Sequence, residues 1–435
     1  MEQSPGMGCG KGLDKGARCS VIRARVVYPG IGRPIDNGAV AVSGGAISAA
    51  GKWRDLKALG GGPETVLDAG ERALLPGLIN AHCHLDYTGM AGLWPPPKGF
   101  TDWIPLMLAA KAEYGYADYA RSWLAGARML GETGTTTVAD IESVPELLPE
   151  AWDSTPLRVF SFLEMTGVRS KKSAAGILGE ALEKIKSLSH PQCGAGLSPH
   201  APYSTFPGLL RLCAAAAAGQ NLRVSMHVAE SLDEFEMFAR ARGPMFNWLE
   251  RNGRDMGDCG GASPVARVGH AGLLGENLLA VHVNALAPGD VELLAQKGVH
   301  VVHCPRSHDY FGHPPFQRAA LAAAGVNLCL GTDSLATIRK HDGRNPELDM
   351  FAEMRALASK DAAASPQDIL QMATVNGARA LGLAGKAGAL VEGAFADLIA
   401  MPFSGKVSGI AEAAVHFSGR VEGVMIGGQW ILQPE

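Results

Sequence analysis

Two histidines one residue apart close an apolar run in LLPGLINAHCHLDYTGM (residues 74–90), at His82 and His84. Alternate residues of an extended strand project to one side, so the two imidazoles share a face and Cys83 points away. Neutral imidazoles arranged this way bind divalent transition metals. Taken alone, the pair fits two hydrogen-bonded strand-end histidines equally well. SMHVAES adds a third nitrogen at His227, with Glu230 in the turn above it, within reach of a bound water. The plainer account of Glu230 is an acid opening the next helix. LGTDSLAT adds Asp333 after another apolar strand, where the plainer account is a helix N-cap. Three nitrogens, one or two carboxylates and water make an open, catalytic metal site rather than a closed structural one. Other hydrolytic signatures are missing: there is no HExxH, no PCxxC beside an HxE, and no GxSxG elbow.

Positioning such residues requires strands that end together. Eight short β-type runs recur through the middle of the chain, at 74–85, 135–141, 157–165, 196–202, 222–230, 278–284, 299–305 and 326–334. Helical or Ala-rich stretches separate most of them, as at 206–219, 288–298 and 316–325. This alternation predicts an α/β fold, a (β/α)8 TIM barrel over 74–384; the spacing alone also fits a doubly wound sheet. Barrels carry their chemistry at the C-terminal strand ends. There stand His82 and His84, Glu164, His200, His227 and Glu230, His282, His303 and Asp333. Both termini are rich in Val and Gly with turn residues, which predicts a small composite β-sandwich domain from 18–73 and 385–435. Residues 1–17 read as a flexible tail; their glycines lack the strand and spacing of a phosphate loop.

The totals agree with an ordinary globular enzyme. The 435 residues are 47% hydrophobic and 19% charged, with a formal net charge of -4, so nothing global draws the chain to nucleic acid or an anionic membrane. Eight dispersed cysteines without a CxxC pair predict reduced thiols rather than a disulfide framework. No apolar run reaches membrane-helix length and no secretory signal opens the chain, so the expected location is cytoplasmic.

In this order, PGLINAHCHLDYT, GTTTVADI, GLSPHAPYST, SMHVAES, VVHCPRS and LGTDSLAT resemble the amidohydrolase superfamily. The likeness is to its branch of S-adenosylhomocysteine/methylthioadenosine deaminases, triazine chlorohydrolases and aminodeoxyfutalosine deaminases, and it spans nearly the whole chain. The resemblance implies one divalent metal, zinc or else iron, on His82, His84, His227 and Asp333. A carboxylated bridging lysine, as in binuclear relatives, has no counterpart on the fourth strand. It further implies Glu230 as proton shuttle, His282 as the residue orienting the attacking water, and Asp333 as the group relaying its proton to departing ammonia. His200, Trp103 and Ser334 become substrate contacts, with Glu230. The implied reaction is hydrolytic deamination of an adenosine-derived ring such as aminodeoxyfutalosine, methylthioadenosine or S-adenosylhomocysteine. Triazine dechlorination, cyclic-amide hydrolysis and a non-catalytic barrel are the alternatives. Expected partners are the small amino-heterocycle and water, with no nucleic acid and no membrane; self-assembly as a homodimer or larger homo-oligomer is left open. Glu113 departs from the spacing of a ribose-binding acid. Glu164, His303, His308, Tyr310 and His313 carry no settled role, and 241–272 reads as a lid or substrate loop.

Overall fold

A computed structural model describes residues 19–57, 65–168, 170–340 and 346–434; the tail assigned to 1–17 lies outside them. Five strands open the chain: β1 (Cys19–Val27), β2 (Ile35–Ser43), β3 (Ala46–Lys52), β4 (Thr65–Asp68) and β5 (Arg72–Pro76). Three close it: β14 (Leu398–Pro402), β15 (Gly423–Ile426) and β16 (Gln429–Leu432). All eight form one mixed sheet in which β14 runs antiparallel to β5 and so joins the two ends of the chain. The sheet curls until the Ile47 amide in β3 bonds the Ala394 carbonyl at 2.8 Å. Ile22, Val40, Ile47, Leu74, Leu398 and Met425 pack together inside that curl. Strands from both ends of the chain thus share one sheet, as the Val- and Gly-rich composition there predicts.

The barrel follows in parallel order as β6 (Leu78–Cys83), β7 (Thr135–Glu142), β8 (Arg158–Met165), β9 (Gly194–Pro199), β10 (Val224–Val228), β11 (Leu278–His282), β12 (His300–His303) and β13 (Asn327–Leu330). The apolar run expected as one strand over 74–85 is two. Pro76 has no N–H to donate, and there the chain leaves the small sheet for the barrel. A side chain on the intervening Gly77 would collide with that of Thr136, 2.2 Å from its Cβ position. The helix candidates fall at Pro207–Gln220, Asp290–Gln296 and Arg318–Ala323.

Closure of the barrel brings distant ligands together. The amides of Thr332 and Asp333 donate to the His82 carbonyl at 3.0 and 3.1 Å, and Cys83 bridges Asp333 in parallel. Only glycine suits position 331, because a Cβ there would stand 2.8 Å from the His82 carbonyl oxygen. Registry carries the alignment around the mouth: His227 lies opposite Val281, Val228 opposite His282, and Glu164 opposite Ser198. Val224, Met226 and Val228 pack into the layer between strands and helices, while Leu279, Val281 and Val302 join a separate cluster along the strands. Each fully buried aliphatic side chain contributes about 1.5–3 kcal/mol, so these layers stabilise the barrel and leave its mouth free for polar groups. Arg158 in β8 pairs with Asp397 at 2.7 Å in a buried contact that fastens the barrel to the small domain.

Candidate metal centre and active site

Among the described residues, one trio of potential ligands converges: a ring nitrogen from each of His82, His84 and His227, all within 4.8 Å of one another. Strict alternation does not place the first two, because the register of β6 against β7 shifts between Asn80 and Cys83. Cys83 itself packs among Leu85, Trp123 and Val138 on the outer side and is free. The His227 Nδ1–H donates to the His200 carbonyl at 2.9 Å, which leaves the Nε2 lone pair to face the site. Nε2 of His84 stands 3.3 Å from Nε2 of His227.

Asp333 completes the set. Its Oδ1 lies 3.7 Å from Nε2 of both His82 and His84, while its Oδ2 accepts from Ser307 at 2.6 Å and from Thr337 at 3.2 Å. Asp333 adopts φ +54°, a left-handed backbone that swings the carboxylate back over the strand ends.

The donor set fits a divalent metal. Nε2 of His82, 3.7 Å from Asp333 Oδ1, is buried without a hydrogen-bond partner, a costly state for a polar atom unless a cation engages it. Burial and the neighbouring His82 hold His84 well below the ordinary histidine range, and burial with His200 and His82 lowers His227 to about 3. These imidazoles are therefore neutral and carry free lone pairs. Burial pushes the Asp333 carboxyl upward, but His82, His282 and His84 outweigh it and keep the group well below the carboxylate norm, hence ionised.

Beside this centre, Glu230 follows β10 and His282 ends β11, with Oε1 3.5 Å from Nε2. Burial, then Asp333 and Glu234, push the Glu230 carboxyl well above its ordinary value, which favours its protonated form. Burial makes His282 a neutral ring. A proton-bearing acid next to metal-type ligands can protonate a bound heterocycle.

The chamber above is lined by His84, His200, His227, Glu230, His282 and Asp333 at its floor, and by Phe100, Trp103, Ile104, Met107, Trp248 and Leu249 on its walls. Trp103 and Ser334, both expected contacts, line it, and the Trp103 indole N–H is buried without a partner. His200 donates to or accepts from Ser204 at 2.7 Å and sits 3.8 Å from Glu164. Glu164 also lines the chamber.

Other candidates fall elsewhere. Glu113 is exposed, whereas Lys111, two residues earlier on the helix Phe100–Glu113, enters the chamber. Its ammonium lies 3.4 Å from Glu164 and 4.9 Å above the Tyr87 ring, which in turn stacks on His84. His303 stacks flat on Phe316 at 4.0 Å, outside the chamber lining, and Tyr310 anchors the carbonyls of Trp94 and Pro95. His308 and His313 stand behind the chamber wall, rings 5.5 Å apart. The 241–272 segment holds two helices, Pro244–Arg251 and Pro264–His270, and supplies Trp248 and Leu249 to the chamber. Arg254 latches it by donating to the carbonyls of Tyr203 and Pro202 while pairing with Asp258 at 2.7 Å.

An eight-stranded parallel barrel with three converging histidines, an aspartate and a buried glutamate at its mouth defines a metal-dependent hydrolase. The chain belongs to the amidohydrolase family, whose pattern matches residues 73–431. It is 34% identical over 385 residues to the 5-methylthioadenosine/S-adenosylhomocysteine deaminase of Syntrophobacter fumaroxidans, covering 86% of this chain and 81% of that one. It is 31% identical over 326 residues to the aminodeoxyfutalosine deaminase of Deinococcus radiodurans, covering 72% and 75%. The crystal structure of an adenosine deaminase from Xanthomonas campestris with bound zinc superposes with a TM-score of 0.81 at 26% identity, covering 95% of this chain and 93% of that one. No described helix is long and apolar enough to cross a membrane.

Proposed function

We propose that this protein is a metal-dependent aminohydrolase that removes the amino group of an adenine-type nucleoside and releases ammonia. The observation that carries the reading is the buried Glu230 carboxyl, 3.5 Å from His282, held beside the His82–His84–His227–Asp333 donor set. His82, His84, His227 and Asp333 would hold one zinc, with iron as the other candidate; the zinc-bound Xanthomonas structure supports that assignment. Once bound, such a metal would supply a coordinated water with a pKa of about 7, a nucleophile at neutral pH.

The chain's own residues do the rest. Glu230 donates its proton to the ring nitrogen beside the amino-bearing carbon, so that charge does not build up on the ring. His282, 3.5 Å from Glu230, orients the attacking water. Asp333 takes up the water's proton and delivers it to the departing ammonia. The aromatic and aliphatic walls, Phe100, Trp103 and Trp248 among them, exclude solvent and receive the base and its substituent. His200, Trp103 and Ser334 contact the substrate. The names of the relatives support methylthioadenosine, S-adenosylhomocysteine or aminodeoxyfutalosine as the substrate.

The barrel, which begins at β6 (Leu78–Cys83), is the catalytic unit, and the sheet built from both ends of the chain is its companion domain. Seven described cysteines are free, which supports a cytoplasmic location. The test is ammonia release from a panel of these three nucleosides, adenosine, guanine and an amino-triazine. Release from at least one adenine-type member is expected. Release from the triazine alone, or from none, overturns the substrate assignment.

A further inference from the structure

Glu230 is held by its backbone rather than by its side chain. Its N–H donates to Glu234 Oε2 at 2.8 Å, and its carbonyl accepts from Asn284 Nδ2 at 2.9 Å. Ser231 caps the next helix through the Glu234 amide at 3.2 Å, so Ser231 and Glu234 read as a capping box; yet the Glu234 carboxylate turns back to Glu230 instead. Asn284 does more. Its own backbone N–H donates to the Ala229 carbonyl at 2.9 Å, so both of its nitrogens bond consecutive carbonyls of the Ala229–Glu230 turn.

The amide orientation is determined by chemistry. The Glu230 carbonyl can only accept, so Nδ2 faces it and Oδ1 faces away. Oδ1 lies 3.0 Å from Nδ1 of His308, which must therefore donate. The chain of bonds runs from the turn after β10, through the turn after β11, to the helix Pro305–Phe311 after β12. Three successive strand ends are joined behind the chamber wall. Asn284 is buried and does not line the chamber, so it touches no substrate.

The backbone at this point requires such a device. Ala229 (φ +53°), His282 (φ +75°) and Val283 (φ +52°) all adopt left-handed conformations that non-glycine residues avoid. Such conformations persist where surrounding contacts over-determine them. They immediately precede or include the residues at issue: Ala229 precedes Glu230, and Val283 precedes Asn284. Backbone bonds from Val283 to the Val228 carbonyl and from Asn284 and Ala285 to the Ala229 carbonyl join the two turns up to Ala229; the Asn284 side chain extends the tie by one residue, to Glu230 itself.

We propose that Asn284, oriented by His308, is the positioning residue that sets the Glu230 carboxyl against His282. The proposal rests on the shuttle role assigned to Glu230. A displacement of about 1 Å at a reacting group can cost about 100-fold in rate. Asn284→Ala should lower kcat by about 10- to 100-fold with KM nearly unchanged, and should keep its metal. Asn284→Asp should lose at least as much, because its carboxylate would face the Glu230 carbonyl oxygen. His308→Ala should lose less, and His308→Asn should recover most of that loss, since its amide nitrogen stands where Nδ1 stood. Equal kcat in Asn284→Ala and the native enzyme overturns the proposal, as does normal kcat in Asn284→Asp. A crystal structure of metal-loaded Asn284→Ala gives a readout independent of turnover. The Glu230–His282 separation should grow by about 1 Å; an unmoved Glu230 overturns the proposal. Native enzyme that releases no ammonia would sink the deaminase reading instead, while this structural comparison would still decide the stitch.

Discussion

The Ser307 hydroxyl donates to Asp333 Oδ2 at 2.6 Å and thereby leaves Oδ1 directed at the histidines. Neither residue alone sets that direction, since the two are 26 positions apart and meet only where β12 and β13 end side by side.

Ser307→Ala should therefore weaken the metal site without emptying the pocket. Partners that orient a ligating carboxylate typically contribute 10- to 100-fold in metal affinity. Thr337 remains as a second donor at 3.2 Å, so a loss near about 10-fold is expected for the single variant and a larger one for Ser307→Ala with Thr337→Val. Competition against a zinc chelator measures this. Affinity unchanged in the double variant would show that Asp333 needs no such support.

Glu230→Gln tests the proton shuttle. The variant keeps the volume and the backbone bonds to Glu234 and Asn284, but has no transferable proton. Turnover should fall by about 100- to 10,000-fold, with metal content unchanged by elemental analysis. Near-native turnover would remove Glu230 from the mechanism.

Glu234 gives a pH signature in stability. Burial raises its carboxyl to about 8, against the opposing pull of the Glu230 and Ala229 amides. Its folded value thus lies above the unfolded value of about 4.3. The native state then binds the extra proton across that interval, so this stabilisation is complete below about pH 4.3 and is lost as pH rises through 8. Thermal unfolding between pH 5.5 and 8.5 should show native stability declining relative to Glu234→Gln, whose amide oxygen still accepts from Glu230. Parallel curves for the two proteins would contradict this.

Much of the site was legible because its residues close apolar runs. His82, His227, His282 and Asp333 each follow a short β-type stretch, and strand ends are where a barrel collects its chemistry. Lys111 and Asn284 were not legible, because their partners, Glu164 and Glu230, lie 53 and 54 positions away. A lysine near the end of the helix Phe100–Glu113 and an asparagine in a turn look like surface residues until tertiary contacts bury them. The split of 74–85 between two sheets was hidden by a continuous apolar pattern that both sheets require. The helices within 241–272 were masked by the glycines and prolines that bound them.

Arg254 should control access to the chamber. Arg254→Ala removes its bonds to the Tyr203 and Pro202 carbonyls and strands Asp258. Limited proteolysis should then cut within 241–272 faster than in the native enzyme, and KM should rise more than kcat falls. Unchanged cleavage and KM would mean that the segment is held by apolar packing alone.

The central claim is that His82, His84, His227 and Asp333 hold one catalytic metal for deamination of an adenine-type ring. Its most direct test is zinc titration of chelator-treated protein, with ammonia release from methylthioadenosine followed at each point. The account predicts no release without metal, then a linear rise that levels at about one zinc per chain, and no rise in His84→Ala. Release undiminished by chelation, or a native titration that restores nothing with any adenine-type nucleoside, would contradict it.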